Sequence, residues 1–343
     1  MAALGVFFAH GFFLYQLFMP APFPGHSLGS LSVYVFFFIS GYLVFQSWAR
    51  EPVWINFWVK RVFRIFPGLM VAVGFSVFVL GWLMTTADSS AYWSSSETWA
   101  NFFNNATGLA TIQTLPGVFE SNPFARAVNG SLWTIRYEIA MYLVLAILAL
   151  LTGGHRLVWV ALSLVLAAVW WVSRSQAWDT ALAAQEGWRA AVFRWHDFTG
   201  FGVPFFWGSA FAAYRVRCGW WMLGGALLAA VIAFFTPSDM LRQLAVWTMV
   251  ALGVFYFAHA GADEGTPRAR GGMDISYGVY IYAFPIQQAA AEWGLRRGWP
   301  LSMYLLTSLV MVLLLAWLSW IVVERPSIRW GHRLLERRRV LRR

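Results

Sequence analysis

Apolar residues along this chain come in long runs rather than in alternation. Ten runs stand out, at residues 2–18, 31–48, 64–84, 132–151, 157–172, 198–214, 220–235, 241–258, 276–293 and 301–323. Each is 16 to 23 residues long, and a hydrocarbon layer of about 30 Å is crossed by roughly 20 residues of helix. The pattern predicts an all-α fold, a polytopic membrane helix bundle of about ten transmembrane helices. Runs near 16 residues are expected to thin the bilayer locally or to sit inside the bundle.

Most connections are short, but two are not. Residues 85–131 are rich in Ser, Asn and Trp, with one surface helix predicted around Glu97–Thr111, and residues 173–197 form the second long connection. Loops of this length in a compact protein tend to carry function. The first run lacks a basic leader, carries His10 in its apolar stretch and has no small-residue cleavage site. It therefore reads as a retained helix rather than a signal peptide. Its 17 residues reach only about 26 Å at the usual helical rise, so a full first span is expected to begin slightly upstream of Met1.

Composition narrows the class. Of 343 residues, 59% are apolar and 12% charged, about half the charge of an ordinary soluble domain. A soluble core of this size could not bury so much apolar surface. We read one continuous membrane domain over 1–343, in which 324–343 form a basic cytoplasmic tail. The formal charge of +10 suggests nucleic acid, but eight of the 25 basic residues lie between Arg325 and Arg343 and most others sit in short connections. That placement is a topology signal, and no basic groove with interleaved aromatics can be drawn. With the N-terminus inside, inner connections and tail hold seventeen Lys and Arg and outer connections seven, which predicts both termini in the cytoplasm. Cys218 is the single cysteine, which excludes an internal disulfide and a Cys-based metal site; no metal site is expected.

Ionisable groups within apolar spans are costly and point to function. His10 can act as a general base at physiological pH, or pack as a histidine bonded to a neighbouring helix. Arg61 and Arg64 share a helical face, with Lys60 four residues before Arg64. Forked guanidiniums so placed suit a phosphorylated ligand, while positive-inside anchoring explains many such clusters. Thr134, Glu138 and Tyr142 recur every four residues and form a polar stripe; a structural ion pair is the plainer reading of Glu138. Tyr277 and Tyr280 share a face, more often for packing than for chemistry, and Pro285 is expected to kink or break its helix. Ser40-Gly41 reads as a close-packing point, and Glu324-Arg-Pro326 as a structural helix exit.

Taken in order, these segments resemble the membrane acyltransferase-3 family, bacterial integral-membrane O-acyltransferases of surface polysaccharides. The matching motifs are Phe36-Phe-Phe-Ile-Ser-Gly-Tyr42, Lys60-Arg-Val-Phe-Arg-Ile-Phe-Pro67, Ser131-Leu-Trp-Thr-Ile-Arg-Tyr-Glu138, Ser276-Tyr-Gly-Val-Tyr280 and Glu324-Arg-Pro326. The resemblance implies a multi-pass protein of the bacterial inner membrane. It would take an acyl group, commonly acetyl, from cytoplasmic acyl-CoA and deliver it to a sugar hydroxyl on or beyond the outer face. It also implies that His10 and Glu138 are catalytic and act together, and that Arg61, Arg64 and Lys60 hold the CoA phosphates. Trp133, Tyr142, Tyr277 and Tyr280 would contact substrate. The chain departs from the family pattern in three places. The arginine usual about ten residues before the histidine would fall just ahead of Met1, Ala283 stands where a ninth-helix histidine is common, and Arg136 replaces an apolar or proline position. The rival classes are a transporter or flippase for a lipid-linked saccharide and a structural subunit of an export complex. Against the first, no internal repeat or matched pair of interrupted spans is found.

Overall fold

The computed structural model describes residues 2–18, 21–108, 110–175, 193–260 and 272–340. Among them every regular element is a helix; two isolated bridges, Phe23 with His26 and Thr85 with Val118, are the extended pairings. All ten apolar runs fall on helices. They are α1 (Ala2–Leu14), α2 (Leu28–Arg50), α3 (Trp54–Met84), α6 (Leu132–Thr152), α7 (Arg156–Ser175), α8 (Trp195–Ala213), α9 (Trp220–Phe235), α10 (Asp239–His259), α11 (Ser276–Arg296) and α12, which starts at Leu301. Two short helices, α4 (Ser89–Ser94) and α5 (Ser96–Thr107), lie in the first long connection. Six of the helices, α2, α3, α6, α7, α10 and α12, are long and apolar enough to cross a membrane; α1 and α9 are apolar but shorter.

The ends follow from local chemistry. Ser27 caps α2, its side chain accepting from the Ser30 amide at 3.1 Å. α1 stops at Leu14, short of the run, because Gln16 takes φ +60° and the Leu17 amide bonds back to the Phe12 carbonyl at 2.9 Å. Gly108, at φ +67°, ends α5.

Two expected breaks do not occur. α11 runs unbroken through Pro285. A proline lacks the N–H that would bond the carbonyl four residues earlier, and here Asn129 Nδ2 donates to that carbonyl, Ile281 O, at 2.9 Å. Likewise Glu324-Arg-Pro326 is not an exit: α12 continues from Leu301–Ser319 through a π-helical turn, Trp320–Glu324, to Arg325–Val340. The π turn widens the helix where the proline ring would crowd the preceding turn.

α11 is buried without interruption from Tyr277 to Glu292 and packs against α1, α3 and α12, so it forms the axis of this half of the bundle. Gln287 Nε2 donates to the Phe7 carbonyl at 2.8 Å and fixes α1 to it. On the other side α2 and α8 cross closely: a Cβ on Gly41 would lie 1.8 Å from the Phe205 carbonyl oxygen, and one on Gly208 would lie 2.1 Å from that of Phe38. The expected close packing at Ser40-Gly41 is therefore present.

Residues 85–131 fold over one end of the bundle, which we call the loop end. Tyr92 donates to the Val77 carbonyl at 2.8 Å, and Asn101 Nδ2 to the carbonyls of Ile112 and Thr114 at 2.9 Å each. Gln288 Nε2 donates to the carbonyls of Phe124 and Ala127 at 2.7 Å each, tying the segment to α11. The predicted surface helix is α5. Most of the second long connection, 176–192, lies outside the described residues. The opposite end carries Arg50, Lys60, Arg61 and Arg64, and we call it the basic end.

Candidate functional site

The polar side chains singled out in the sequence gather around two cavities. The basic-end cavity, of about 360 Å³, is lined by Arg61 and Arg64 of α3, Ser40 and Phe36 of α2, Thr134, Glu138 and Tyr142 of α6, and Tyr277 and Tyr280 of α11. The four-residue stripe of α6 thus faces one space, as do the arginine pair and the tyrosine pair. Glu138 is buried, and its Oε1 accepts from Ser40 Oγ at 3.1 Å and from the Tyr142 hydroxyl. The Arg61 guanidinium lies 5.8 Å from the Tyr142 ring centre and 5.9 Å from that of Phe57. Its buried Nε has no hydrogen-bond partner among the described residues. Arg64 pairs with Asp274 at 2.5 Å and with buried Glu324 at 3.5 Å, above the Tyr277 ring at 5.7 Å. Tyr277 donates to the Ile65 carbonyl at 2.9 Å.

Lys60 is not part of this cavity. It pairs with Glu51 at 2.6 Å, because the connection between α2 and α3 brings that carboxylate beside its face of α3. The structure thus places Lys60 outside this cavity and leaves Arg61 and Arg64 as the cavity's basic pair.

The loop-end cavity, of about 380 Å³, is lined by His10 and Phe13 of α1, Gly130, Trp133 and Arg136 around the start of α6, Phe284 of α11, Gln113 and Phe124 of the first long connection, and Arg194 and Asp197 at the start of α8. The His10 ring meets Phe284 edge-on at 5.2 Å, and its buried Nδ1 has no hydrogen-bond partner among the described residues. Trp133 packs at right angles to Tyr137, with centroids 5.8 Å apart. Tyr137 is fixed in turn: its hydroxyl accepts from the Arg194 amide at 3.0 Å and donates to Asp197 at 3.3 Å.

One helical turn divides the two cavities. Val6 and His10 on α1, Tyr280 and Phe284 on α11, and Thr134 and Gly130 on the α6 side each put one residue on either side. Each pair is four residues apart, or about 6 Å of rise. The partition is tightly bonded: the Tyr280 hydroxyl donates to the Ser131 carbonyl at 2.7 Å and sits 2.5 Å from Thr134 Oγ1, and its ring stacks on Phe36. Gly130 packs closely on Phe284: a Cβ there would stand 2.6 Å from the ring and force it to shift.

His10 and Glu138 are not brought together. The two line different cavities, and no hydrogen bond or ion pair joins them among the described residues. The cause is depth. Ala9 packs on Gly29 near the start of α2, whereas Glu138 is bonded to Ser40, about 16 Å further along α2 at 1.5 Å per residue. Sequence reasoning also missed Gln113, Arg194, Asp197 and Asp274, which reach the cavities from connections or helix starts and carry no periodic signal, and Phe284, which lies within α11 one turn after Tyr280. Arg136 was visible as a charge inside an apolar run, but not its destination.

Comparison with known proteins bears on the chemistry. A family model described as an acyltransferase domain matches residues 1–323. An O-acetyl transferase of Shigella phage Sf6 is 31% identical over 339 residues, covering 95% of this chain and 92% of that protein. Nodulation protein 10 of Rhizobium leguminosarum bv. viciae is 26% identical over 332 residues, covering 89% and 84%. No solved structure matches the chain.

Proposed function

The chain belongs to the acyltransferase-3 family and is a membrane acyltransferase, and on that premise we propose that it moves an acyl group, acetyl in the first instance, from acyl-CoA to a hydroxyl of a cell-surface or exported glycan. The likeness to an O-acetyl transferase of a bacterial virus supports acetyl as the group and oxygen as the acceptor atom. One observation carries the reading beyond the family. A cavity with two arginines at its mouth and a cavity with a histidine whose buried Nδ1 has no hydrogen-bond partner among the described residues approach each other across a single helical turn.

In this reading ten helices cross a bacterial inner membrane, with the basic end and both termini in the cytoplasm. The CoA phosphates meet Arg61 and Arg64; the orphaned Nε of Arg61 fits a phosphate oxygen. The pantetheine arm follows the Thr134, Glu138 and Tyr142 stripe to the partition, with Tyr277 and Tyr280 along its path. The acceptor enters from the loop end and rests on Trp133. His10 takes the proton of the acceptor hydroxyl, the alkoxide bonds to the thioester carbonyl carbon, and the C–S bond breaks. The leaving thiolate recovers the proton from the imidazolium. Glu138 orders Ser40 and Tyr142 and balances Arg61 on the donor side rather than touching the imidazole. The unbroken α11 counts against a flippase, whose mechanism would use an interrupted helix at that point.

The test is donor affinity. Two charge-assisted phosphate contacts are worth about 3–6 kcal/mol together, and Arg64 must first loosen its exposed pair with Asp274. The Arg61→Ala, Arg64→Ala double variant should therefore weaken acetyl-CoA binding by about 3 kcal/mol, or roughly a hundredfold. Asp274→Asn should tighten it. Unchanged calorimetric affinity in the double variant would leave the arginines as membrane anchors and remove the donor site.

A further inference from the structure

Arg136 lies just inside the start of α6, a charge in an apolar helix, and is only 6% exposed. Its Nε and Nη1 are buried with no hydrogen-bond partner among the described residues, and the side chain lines the loop-end cavity with His10. Folded proteins rarely leave such donors unmet, and a buried guanidinium without a bonded acceptor is costlier still. Nor is it slack: its guanidinium carbon sits 5.2 Å from the Tyr137 ring centre, and Tyr137 is held by its own bonds to Arg194 and Asp197. The cavity wall therefore carries Arg136, Arg194 and Asp197, with Arg194 and Asp197 paired at 3.1 Å. Among the described residues one positive charge is left over, on a rigid mount, in the space that holds the imidazole.

We propose that Arg136 is a catalytic residue of the transfer, the donor that receives the negative charge developing on the acyl carbonyl oxygen. The inference rests on the acyl-transfer reading above and names how its transition state is stabilised. As the acceptor oxygen bonds to the carbonyl carbon and its proton passes to His10, the carbonyl π pair moves onto oxygen. That oxyanion then collapses, the C–S bond breaks and the thiolate takes the proton from the imidazolium, so no other reactant is consumed. Donors fixed in advance and aimed at the developing charge are worth far more in a site shielded from water than in solution. An acidic acceptor sugar is the competing ligand for the same guanidinium. The uronic glycoside in the experiment below separates that ligand from the transition-state charge.

The experiment uses the full-length protein in liposomes, acetyl-CoA as donor, and the methyl glycosides of a neutral hexose and of its uronic acid as probe acceptors. Arg136→Gln and Arg136→Met should lower kcat with the neutral glycoside about 10²–10³-fold. Glycoside KM and acetyl-CoA Kd should stay within about threefold, since uniform binding is untouched. Arg136→Lys should retain more activity than Arg136→Met, and guanidinium ion added to Arg136→Ala should restore transfer. A merely structural role would give no such rescue. If Arg136→Gln fails to accumulate, the Lys variant and the rescued Ala variant carry the test. A folded Arg136→Gln protein with wild-type kcat overturns the proposal, as does a loss confined to the KM of the uronic glycoside. Wild-type protein that cleaves no acetyl-CoA with either glycoside would instead sink the acyl-transfer reading beneath it, and this proposal with it.

Discussion

The separation of His10 from Glu138 can be tested as additivity. His10→Ala removes the imidazole from the loop-end cavity, and loss of a general base slows transfer about 10²–10⁴-fold, or about 3–5 kcal/mol. Glu138→Gln acts in the other cavity. Its carboxylate accepts from Ser40 and Tyr142, and charge-assisted bonds are worth about 1.5–3 kcal/mol each against about 1 for neutral ones. The amide keeps an acceptor, so the loss over both bonds is about 1–4 kcal/mol, paid mainly in stability. Folded, donor-saturated Glu138→Gln protein should keep its transfer rate within about tenfold of wild type, because no reacting atom touches it. In the double variant the two rate effects should sum to within about 0.5 kcal/mol, as for sites without shared partners. The assay needs unfolding curves, acetyl-CoA affinity and transfer rates from the same four preparations. Well-folded Glu138→Gln protein that transfers nothing, with a double variant no slower than His10→Ala, would mean that the two act as one unit. The depth argument would then be wrong.

Two further predictions concern the frame. Asn129→Leu leaves the Ile281 carbonyl without its donor and should cost about 1–3 kcal/mol of stability; Pro285→Ala in the same background restores an intrahelical N–H and should recover most of it, as thermal unfolding of the pair would read out. Gly41→Ala puts a Cβ 1.8 Å from the Phe205 carbonyl oxygen, so folded yield should collapse, and near-normal accumulation would contradict the close crossing of α2 and α8.

What the sequence made legible is what one helix decides by itself. Ten apolar runs became ten helices, and residues spaced three or four apart reached a common space: Arg61 with Arg64, Thr134 with Glu138 and Tyr142, Tyr277 with Tyr280. Periodicity fixes a face, and a face survives folding. What it does not fix is which neighbour that face meets and at what depth. His10 and Glu138 were both legible as ionisable groups within apolar runs, yet their assignment to one unit required the axial offset of α1 against α2. That offset is set by Gly5 fitting over Ser32 and Gly29 over Ala9, contacts between small residues with no chemical signature. Pro285 misled for the same reason. The residue that rescues its helix, Asn129, is bonded across a separation of 152 positions, so no local window contains both the break and its repair. Lys60 was lost to Glu51, nine residues away, through a turn whose geometry propensity does not specify. In each case the sequence named the residue and not its partner, which is why the cavities divide the predicted site residues instead of collecting them.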